Sequence, residues 1–255
     1  MVENAAFPVP GWRRRYGAAR RLLRLPTSPL QGWRTRGFYR QFVHPGDMCF
    51  DIGAYRGNHT AHFLKLGARI LAVEPQPRLM ARLRRRFAGN SRVTLIGTAL
   101  GATPGKATLA IDPARPTLAS LSPEFLDQAG AKRWRERIEV DVTTLDALIV
   151  AHGMPAFCKI DVGGYEHAVL EGLTRPLSRL SLAYLPAALD PALIAIARLN
   201  RLGPYRFNRS PGETMRLVIP RWLGAAEMAA ELRRPPPDAE SGDIYAFLDD
   251  GSHSR

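Results

Sequence analysis

The chain is short of cysteine, of acidic residues and of long apolar runs, and each shortage excludes something. Its two cysteines, Cys49 and Cys158, lie in apolar runs that read as buried strands. Two reduced core thiols are therefore expected, not a disulfide framework. No run of about 18 uncharged apolar residues occurs, so no transmembrane helix is expected. The N-terminus, MVENAAFPVPGWRRRYGAARRLLRL, has no apolar core followed by a small-residue cleavage site. It does not read as a secretory signal, and a cytoplasmic location follows by default. The six histidines show no metal-ligand spacing, so no metal is expected. There is no G-x-S-x-G nucleophile elbow. There is no phosphate-binding G-x-x-x-x-G-K-[ST] either.

The shortage of acids leaves 23 Asp and Glu against 36 Lys and Arg, a formal net charge of +13, with almost all the basic residues arginine. The excess is uneven. Nine arginines fall between Arg13 and Arg40, and the only acid before residue 47 is Glu3. Over Trp12–Leu25, Trp12, Tyr16, Ala19, Leu22 and Leu23 recur at helical spacing with arginines between them, the pattern of an amphipathic basic helix. Three readings compete: a packed helix with a solvated basic face, a surface for an anionic substrate or an anionic membrane, and a nucleic-acid contact. No recognised nucleic-acid motif accompanies the charge, so nucleic acid is not the expected partner.

What is present describes one α/β domain. A chain of 255 residues with 45% hydrophobic residues is long enough for a large core. Residues 1–40 read as a basic helical lead-in, 41–250 as the domain, and 251–255 as a disordered tail. Apolar strands are expected at 48–52, 69–74 and 93–96, separated by helices through 60–66 and 79–87. This strand–helix alternation predicts right-handed parallel βαβ units. Further strands are expected at 106–111, 138–142, 157–161, 180–185, 205–208, 214–219 and 244–248. Helices are expected at 144–152, 165–173 and 191–202. Residues 112–137, polar and rich in Pro and Arg, read as a surface excursion, and the prolines at 235–237 as a connector.

The most specific motif is Asp51-Ile52-Gly53-Ala54-Tyr55-Arg56-Gly57, with Glu74 at the end of the next strand. Strand, glycine loop, helix start and an acid about 20 residues on make a nucleotide-binding unit. A dinucleotide site needs a second glycine where Tyr55 stands, so that the backbone can touch the pyrophosphate. Asp51, just before the loop, would repel phosphate. A phosphate-free ligand carrying positive charge suits it, which describes the sulfonium and amino end of S-adenosylmethionine. Glu74 would accept from the ribose hydroxyls, and Gly53 and Gly57 would allow close approach of the backbone to the cofactor. In the plainer reading Asp51 caps the turn and Glu74 is a loop acid.

PGDMCFDIGAYRGNHT, VEPQP, TALGATPGKATL, TTLDALI and FCKIDVGGYEHAVLEGL resemble, in order and spacing, the blocks of the FkbM-type methyltransferases over roughly residues 42–186. The resemblance implies a Rossmann-like class I methyltransferase fold, a mostly parallel seven-stranded sheet with helices on both faces. It implies S-adenosylmethionine as cofactor, contacted by Asp51, Gly53, Ala54, Gly57, Glu74 and Pro75, with Thr98 and Ala99 beside the adenine. It also implies O-methylation of a small molecule, sugar or glycan, with Asp161 facing the transferred methyl.

Two departures stand out. The family block usually reads K-I-D-x-E-G, and here Gly163 replaces the acid. The next strand usually ends near an acid, and here Ala183 lies in a strand with none. A hydroxyl nucleophile needs a group to take its proton. Asp161 is the candidate, with capping of the following helix as its alternative role. Glu166 reads as a solvated or salt-bridged acid, His59 and His62 as packed or surface residues, and Lys159 as a support of a strand edge. The functional expectation is an S-adenosylmethionine-dependent methyltransferase acting on a small-molecule or glycan acceptor, an anionic one included. The rivals are a cofactor-binding pseudoenzyme lacking the acids at Gly163 and Ala183, and a basic binding module for membrane or nucleic acid.

Overall fold

The computed structural model describes residues 29–114, 119–123, 125–126, 134–186, 188–234 and 241–251. The Trp12–Leu25 pattern, the prolines at 235–237 and the tail beyond 251 lie outside the described residues.

The sequence alternation folds as expected over its first half. Helix α1 (Pro29–Tyr39) leads into β1 (Met48–Ile52), α2 (Asn58–Lys65), β2 (Arg69–Val73), α3 (Pro77–Arg86) and β3 (Val93–Ile96). Pro77 opens α3, where its missing N–H costs nothing. Leu79, Met80 and Leu83 form the buried stripe of α3, and its arginines face out. The strands β4 (Ala99–Leu100), β5 (Gly105–Ile111) and β6 (Glu136–Thr143) follow, then α4 (Leu145–His152), β7 (Phe157–Ile160), α5 (Glu166–Glu171) and β8 (Arg179–Tyr184). The chain closes with α6 (Asp190–Leu202), β9 (Tyr205–Pro211), α7 (Ala225–Arg233) and β10 (Gly242–Leu248).

Seven strands form one sheet in the order β3-β2-β1-β7-β8-β10-β9. All neighbours are parallel except around β10, which runs antiparallel to both β8 and β9. The order reverses between β1 and β7, where Asp51 pairs with Lys159 and Ile52 with Ile160. Ligands in open α/β sheets bind at such a point, beyond the carboxyl ends of the strands. β1 and β7 are buried on both faces, which explains their near-continuous apolar runs.

Each sheet face carries its own helical layer. Phe38, Tyr39, Phe42, Phe63, Met80, Leu83 and Phe87 bring α1, α2 and α3 onto one face. Leu145, Leu148, Val169, Leu170, Ile196, Leu199, Met228 and Leu232 bring α4 to α7 onto the other. α1 is fixed by its aromatics: Phe42 stacks on Tyr245 at 5.2 Å, and Tyr39 meets Phe63 edge to face at 4.9 Å. Burying an aromatic of this size contributes about 2–3 kcal/mol. Cys49 and Cys158 are free and buried on adjacent strands.

Four expectations change. The strands at 106–111 and 138–142 leave the main sheet and, with β4, form a three-stranded one. Residues 214–219 form no strand. Asn208 occupies the backbone of Ile219, accepting from its N–H and donating to its C=O, and Met215 has a positive φ of 51°. A side chain thus takes the place of a strand partner. The excursion at 112–137 is in part a wall: Ser120 pairs with Ala110 through both backbone groups and its hydroxyl donates to Gly163 O. Helix α7, not expected from the sequence, starts where Glu227 Oε2 accepts from Gly224 N–H at 2.9 Å.

Candidate functional site

A cleft with a cavity volume of about 70 Å³ lies at the carboxyl ends of β1, β2 and β7. Of the residues expected from sequence, it brings together Gly53, Glu74, Pro75, Thr98, Ala99 and Asp161. Tyr55, Gln76, Leu109, Leu121 and Tyr165 are also in the walls and were not foreseen. The position of Tyr55 in the glycine loop was a signal for it. Leu109 and Leu121 arrive from the second sheet and the segment folded over it, and no local motif marks them.

The glycine loop is shaped by the chain's own packing. Gly53 has φ +83°, and a Cβ there would stand 2.0 Å from Asp161 O. Only glycine lets the ends of β1 and β7 approach this closely. Gly57 and Ala54 do not line the cleft. A Cβ at Gly57 would meet Phe87 and Leu83 at 2.5 and 2.8 Å, so glycine here admits the packing of α3 and the residue that follows it. Ala54 is buried and donates its N–H to Val73 O.

Asp51 also departs from expectation. Its carboxylate is buried outside the cleft lining, and its Oδ2 accepts from Thr60 N–H at 2.9 Å and Thr60 Oγ1 at 2.5 Å. An acid is favoured there because the first turn of α2 presents unpaired N–H groups and positive partial charge. Burial raises the carboxyl above its ordinary pKa, and the Thr60 bonds oppose this. Asp51 holds the loop to the helix and makes no direct approach to the cleft.

Glu74 does reach the cleft. Its Oε2 accepts from Tyr55 N–H and its Oε1 from Gln76 N–H, both at 2.9 Å. Burial pushes its carboxyl up to about 7, against the pull of these bonds. Each oxygen keeps acceptor capacity for a ligand hydroxyl. Thr98 Oγ1, on the same wall, is buried with no hydrogen-bond partner. An unpaired buried hydroxyl costs about 1–3 kcal/mol, which a ligand polar atom would relieve.

Asp161 ends β7 and keeps 40% of its side chain exposed on the cleft. Behind it, Lys159 is fully enclosed, with Nζ 3.1 Å from Asp243 Oδ1 and 3.8 Å from Asp161 Oδ2. Burial works against the ammonium, but Asp243 and Asp161 outweigh it and hold Lys159 well above the ordinary lysine range. Lys159 therefore does not support a strand edge. It sits on a central strand and ties Asp161 to β10.

Residues 162–164 turn sharply, and Glu166 holds that turn: its Oε1 accepts from Val162 N–H at 2.9 Å and Gly164 N–H at 3.3 Å. The sequence reading of Glu166 as a solvated or salt-bridged acid is thus corrected. It is buried, with its carboxyl pushed up to about 7 by desolvation and by Asp161. Gly163 has φ +72°, and a Cβ there would lie 2.6 Å from Ala119 O. The missing acid at this position leaves no space that an acid would fill.

A second cavity, about 220 Å³, lies beyond that turn. Phe125, Tyr184, Leu185 and Ile194 give it apolar walls, and Glu166, His167 and Asp190 its polar groups. Ala183 lines it too. His167 Nδ1 is buried without a partner. His59 and His62 line neither cavity. His59 is enclosed against Tyr39, whose hydroxyl is 3.2 Å from its Nδ1. Among the described residues no group of three or more His, Cys, Asp or Glu is placed to hold a metal ion.

A sheet of this order, with one late reversed strand and a cleft bounded by a loop glycine and the acid after β2, defines a class I S-adenosylmethionine-dependent methyltransferase. The Methyltransferase FkbM domain model matches residues 51–186, and the chain belongs to that family. Among curated protein sequences none matches significantly. Among solved structures, the chain is similar to a TehB-like S-adenosylmethionine-dependent methyltransferase from Corynebacterium glutamicum. Identity is 11% over 94% of this chain and 99% of that one, with a TM-score of 0.48. It is similar to an O-methyltransferase from Bacillus cereus solved with S-adenosylhomocysteine, at 14% over 96% and 94%, TM-score 0.45. It is also similar to a precorrin-6y C5,15-methyltransferase from Geobacter metallireducens, at 16% over 88% and 90%, TM-score 0.45. Likenesses this distant do not bear on the acceptor.

The residues present suit the family's cofactor. Glu74 offers carboxylate oxygens of the kind a ribose diol donates to, and Thr98 an unpaired hydroxyl. The cleft lining holds two carboxylates and no arginine or lysine among the described residues, as a cationic sulfonium requires.

Proposed function

We propose that this methyltransferase acts on a hydroxyl of a small-molecule or glycan acceptor, with Asp161 receiving the hydroxyl proton. Glu74, Thr98, Gly53 and Pro75 would hold the cofactor, which supplies an electrophilic methyl group on its sulfonium. The observation that carries the reading is Asp161: a part-exposed carboxylate on the cleft wall, beside the turn that separates the two cavities. Alignment of acceptor and methyl does most of the work in such a transfer. A positioned base contributes the remainder, typically about 10²–10⁴-fold.

The second cavity is the acceptor side of this proposal. Its described lining contains two carboxyls, one imidazole and no arginine or lysine. It therefore favours an acceptor offering hydroxyl or amine donors over the anionic acceptor the net charge suggested. Gly163 and Ala183 lack acids, but Asp161, Glu166 and Asp190 leave the region with carboxyl groups, which favours an active enzyme over a cofactor-binding scaffold.

The test uses Asp161→Asn. Calorimetric titration with S-adenosylhomocysteine should give a Kd within about threefold of the parent. Methyl transfer from labelled S-adenosylmethionine to a panel of polyhydroxylated acceptors should fall at least about 100-fold. Undiminished transfer by the variant would remove Asp161 as the base. A methylated nitrogen in the product would overturn the hydroxyl assignment.

A further inference from the structure

Among the described residues the excess positive charge is segregated onto one face of the fold. Between Pro29 and Gly97, the segment that builds the α1–α2–α3 layer, there are twelve arginines and lysines and three acids. Asp51 and Glu74 are buried, and Asp47 is taken up by His44, whose N–H it accepts at 2.8 Å. None of the three neutralises the outer surface. The opposite side differs: residues 136–234 and 241–251 together hold twelve basic residues and fourteen acids. Of the twelve cations in the first segment, only Arg78 has a carboxylate within ion-pair reach among the described residues.

These cations are neighbours in space. Arg36 of α1, Lys65 of α2 and Arg86 of α3 all surround His62, whose imidazole is pushed down to about 4 by burial and by those three charges. Arg92 reaches back to Leu64 O, and Arg86 to Asn58 Oδ1 and to Arg56 O. Arg82, Arg84 and Arg85 stand exposed on α3, and their side chains make no hydrogen bond or ion pair among the described residues. Like charges gathered without counter-charge repel one another, and an anionic partner relieves that repulsion. Trp33 of α1, 67% exposed, stands in the same layer beside Arg34 and Arg36.

We propose that the outer face of α1, α2 and α3 docks on an anionic phospholipid surface. The cations spread over three helices, and among the described residues neither cavity has an arginine or lysine in its lining, so this face is built for a plane of many charges and not for one bound anion. Arginine stems lie along such a plane with their heads among the phosphates, and a tryptophan is at home at the apolar–polar boundary. Single-stranded nucleic acid would instead call for several aromatics on which bases stack. Trp33 is the one aromatic among the large hydrophobic residues exposed in the described chain. The docking face is independent of the acceptor chemistry proposed above.

The test is co-sedimentation of the full chain with vesicles of phosphatidylcholine alone, or with about one-third phosphatidylglycerol. Binding should require the anionic lipid and be lost at high salt. Replacing Arg82, Arg84 and Arg85 together with Gln, which keeps helix propensity, should lower the partition coefficient about 100-fold while leaving S-adenosylhomocysteine binding unchanged. A full-length variant with Arg13, Arg14, Arg15, Arg20, Arg21 and Arg24 changed to Gln should keep most of the vesicle binding. The proposal is overturned if the chain ignores anionic vesicles, if the α3 variant binds them as well as the parent, or if only the N-terminal variant loses binding. It is also overturned if a labelled oligouridine binds more tightly than the vesicles and that binding is lost in the α3 variant.

Discussion

Replacing Glu74 with Gln perturbs cofactor binding in a way that titration can read. In the free protein the Glu74 carboxyl titrates near 7, raised from 4.5 chiefly by burial. Hydroxyl donors from a ribose favour its ionised form, so binding should expel the proton. With a group titrating at about 7, the ionised fraction rises about tenfold between pH 6 and pH 8. Affinity for S-adenosylhomocysteine should rise by the same factor over that interval. Glu74→Gln removes the titration and puts an amide N–H₂ where a backbone N–H, of Tyr55 or Gln76, now finds an acceptor. The loss of charge-assisted bonds at this carboxyl amounts to roughly 3 kcal/mol, or about 100-fold in Kd.

Calorimetry at pH 6, 7 and 8 is the assay, with NAD as a negative control. Glu166 is the internal check, because its buried carboxyl also titrates near 7 but lies outside the lining of the cofactor cleft. Glu166→Gln should keep the slope that Glu74→Gln abolishes. A parent protein whose affinity is flat from pH 6 to 8, or a Glu74→Gln variant within threefold of it, would refute the reasoning. The same shift has a stability consequence of opposite sense. The folded state holds the Glu74 proton more tightly than the unfolded one, so this contribution is fully present below about pH 4.5 and is lost as pH rises toward 7. It amounts to roughly 3 kcal/mol. Denaturant titration of the cofactor-free protein should show that slope, and Glu74→Gln should lessen it by about this amount, leaving the share of Glu166 and Glu213, which burial also pushes up to about 7.

Gly163→Glu, which writes the family's usual acid back into the chain, should destabilise by about 2–3 kcal/mol in urea unfolding without raising turnover. Its φ of +72° and the Ala119 carbonyl both oppose a side chain. An unchanged unfolding midpoint would show that the 119–123 segment yields freely. Lys159→Met should cost about 3–5 kcal/mol, because it leaves Asp243 buried without its partner at 3.1 Å. Adding Asp243→Leu should recover most of that loss by the same measurement. A double variant no more stable than the single one would mean that the pair's cost is not electrostatic.

What the sequence made legible follows from how local each interaction is. The β1–α2–β2 unit, the acid at its end and the family blocks were readable because strand, loop and helix signals lie within about 25 consecutive residues. Glu166 was misread because spacing marks only its helix. Its burial depends on residues 162–164 curling back so that two backbone N–H groups converge on one carboxylate oxygen. Asp51 was placed at the cofactor by its charge, its position before the glycine loop and the family resemblance, and none of these shows that Thr60, nine residues on, takes its carboxylate. The Lys159–Asp243 pair spans 84 residues, and nothing short of the β8–β10 pairing brings Asp243 beside β7. Gly163 is the most instructive position. Against the family pattern it reads as a lost acid. In the fold it is a left-handed turn pressed against Ala119 O, with its own carbonyl accepting from Ser120 Oγ at 2.7 Å. A side chain at position 163 and the carbonyl of Ala119 cannot share the space, so the 119–123 segment as it lies here requires glycine at 163. Under the function proposed above, the hydroxyl proton then falls to Asp161, with Lys159 and Asp243 paired behind it.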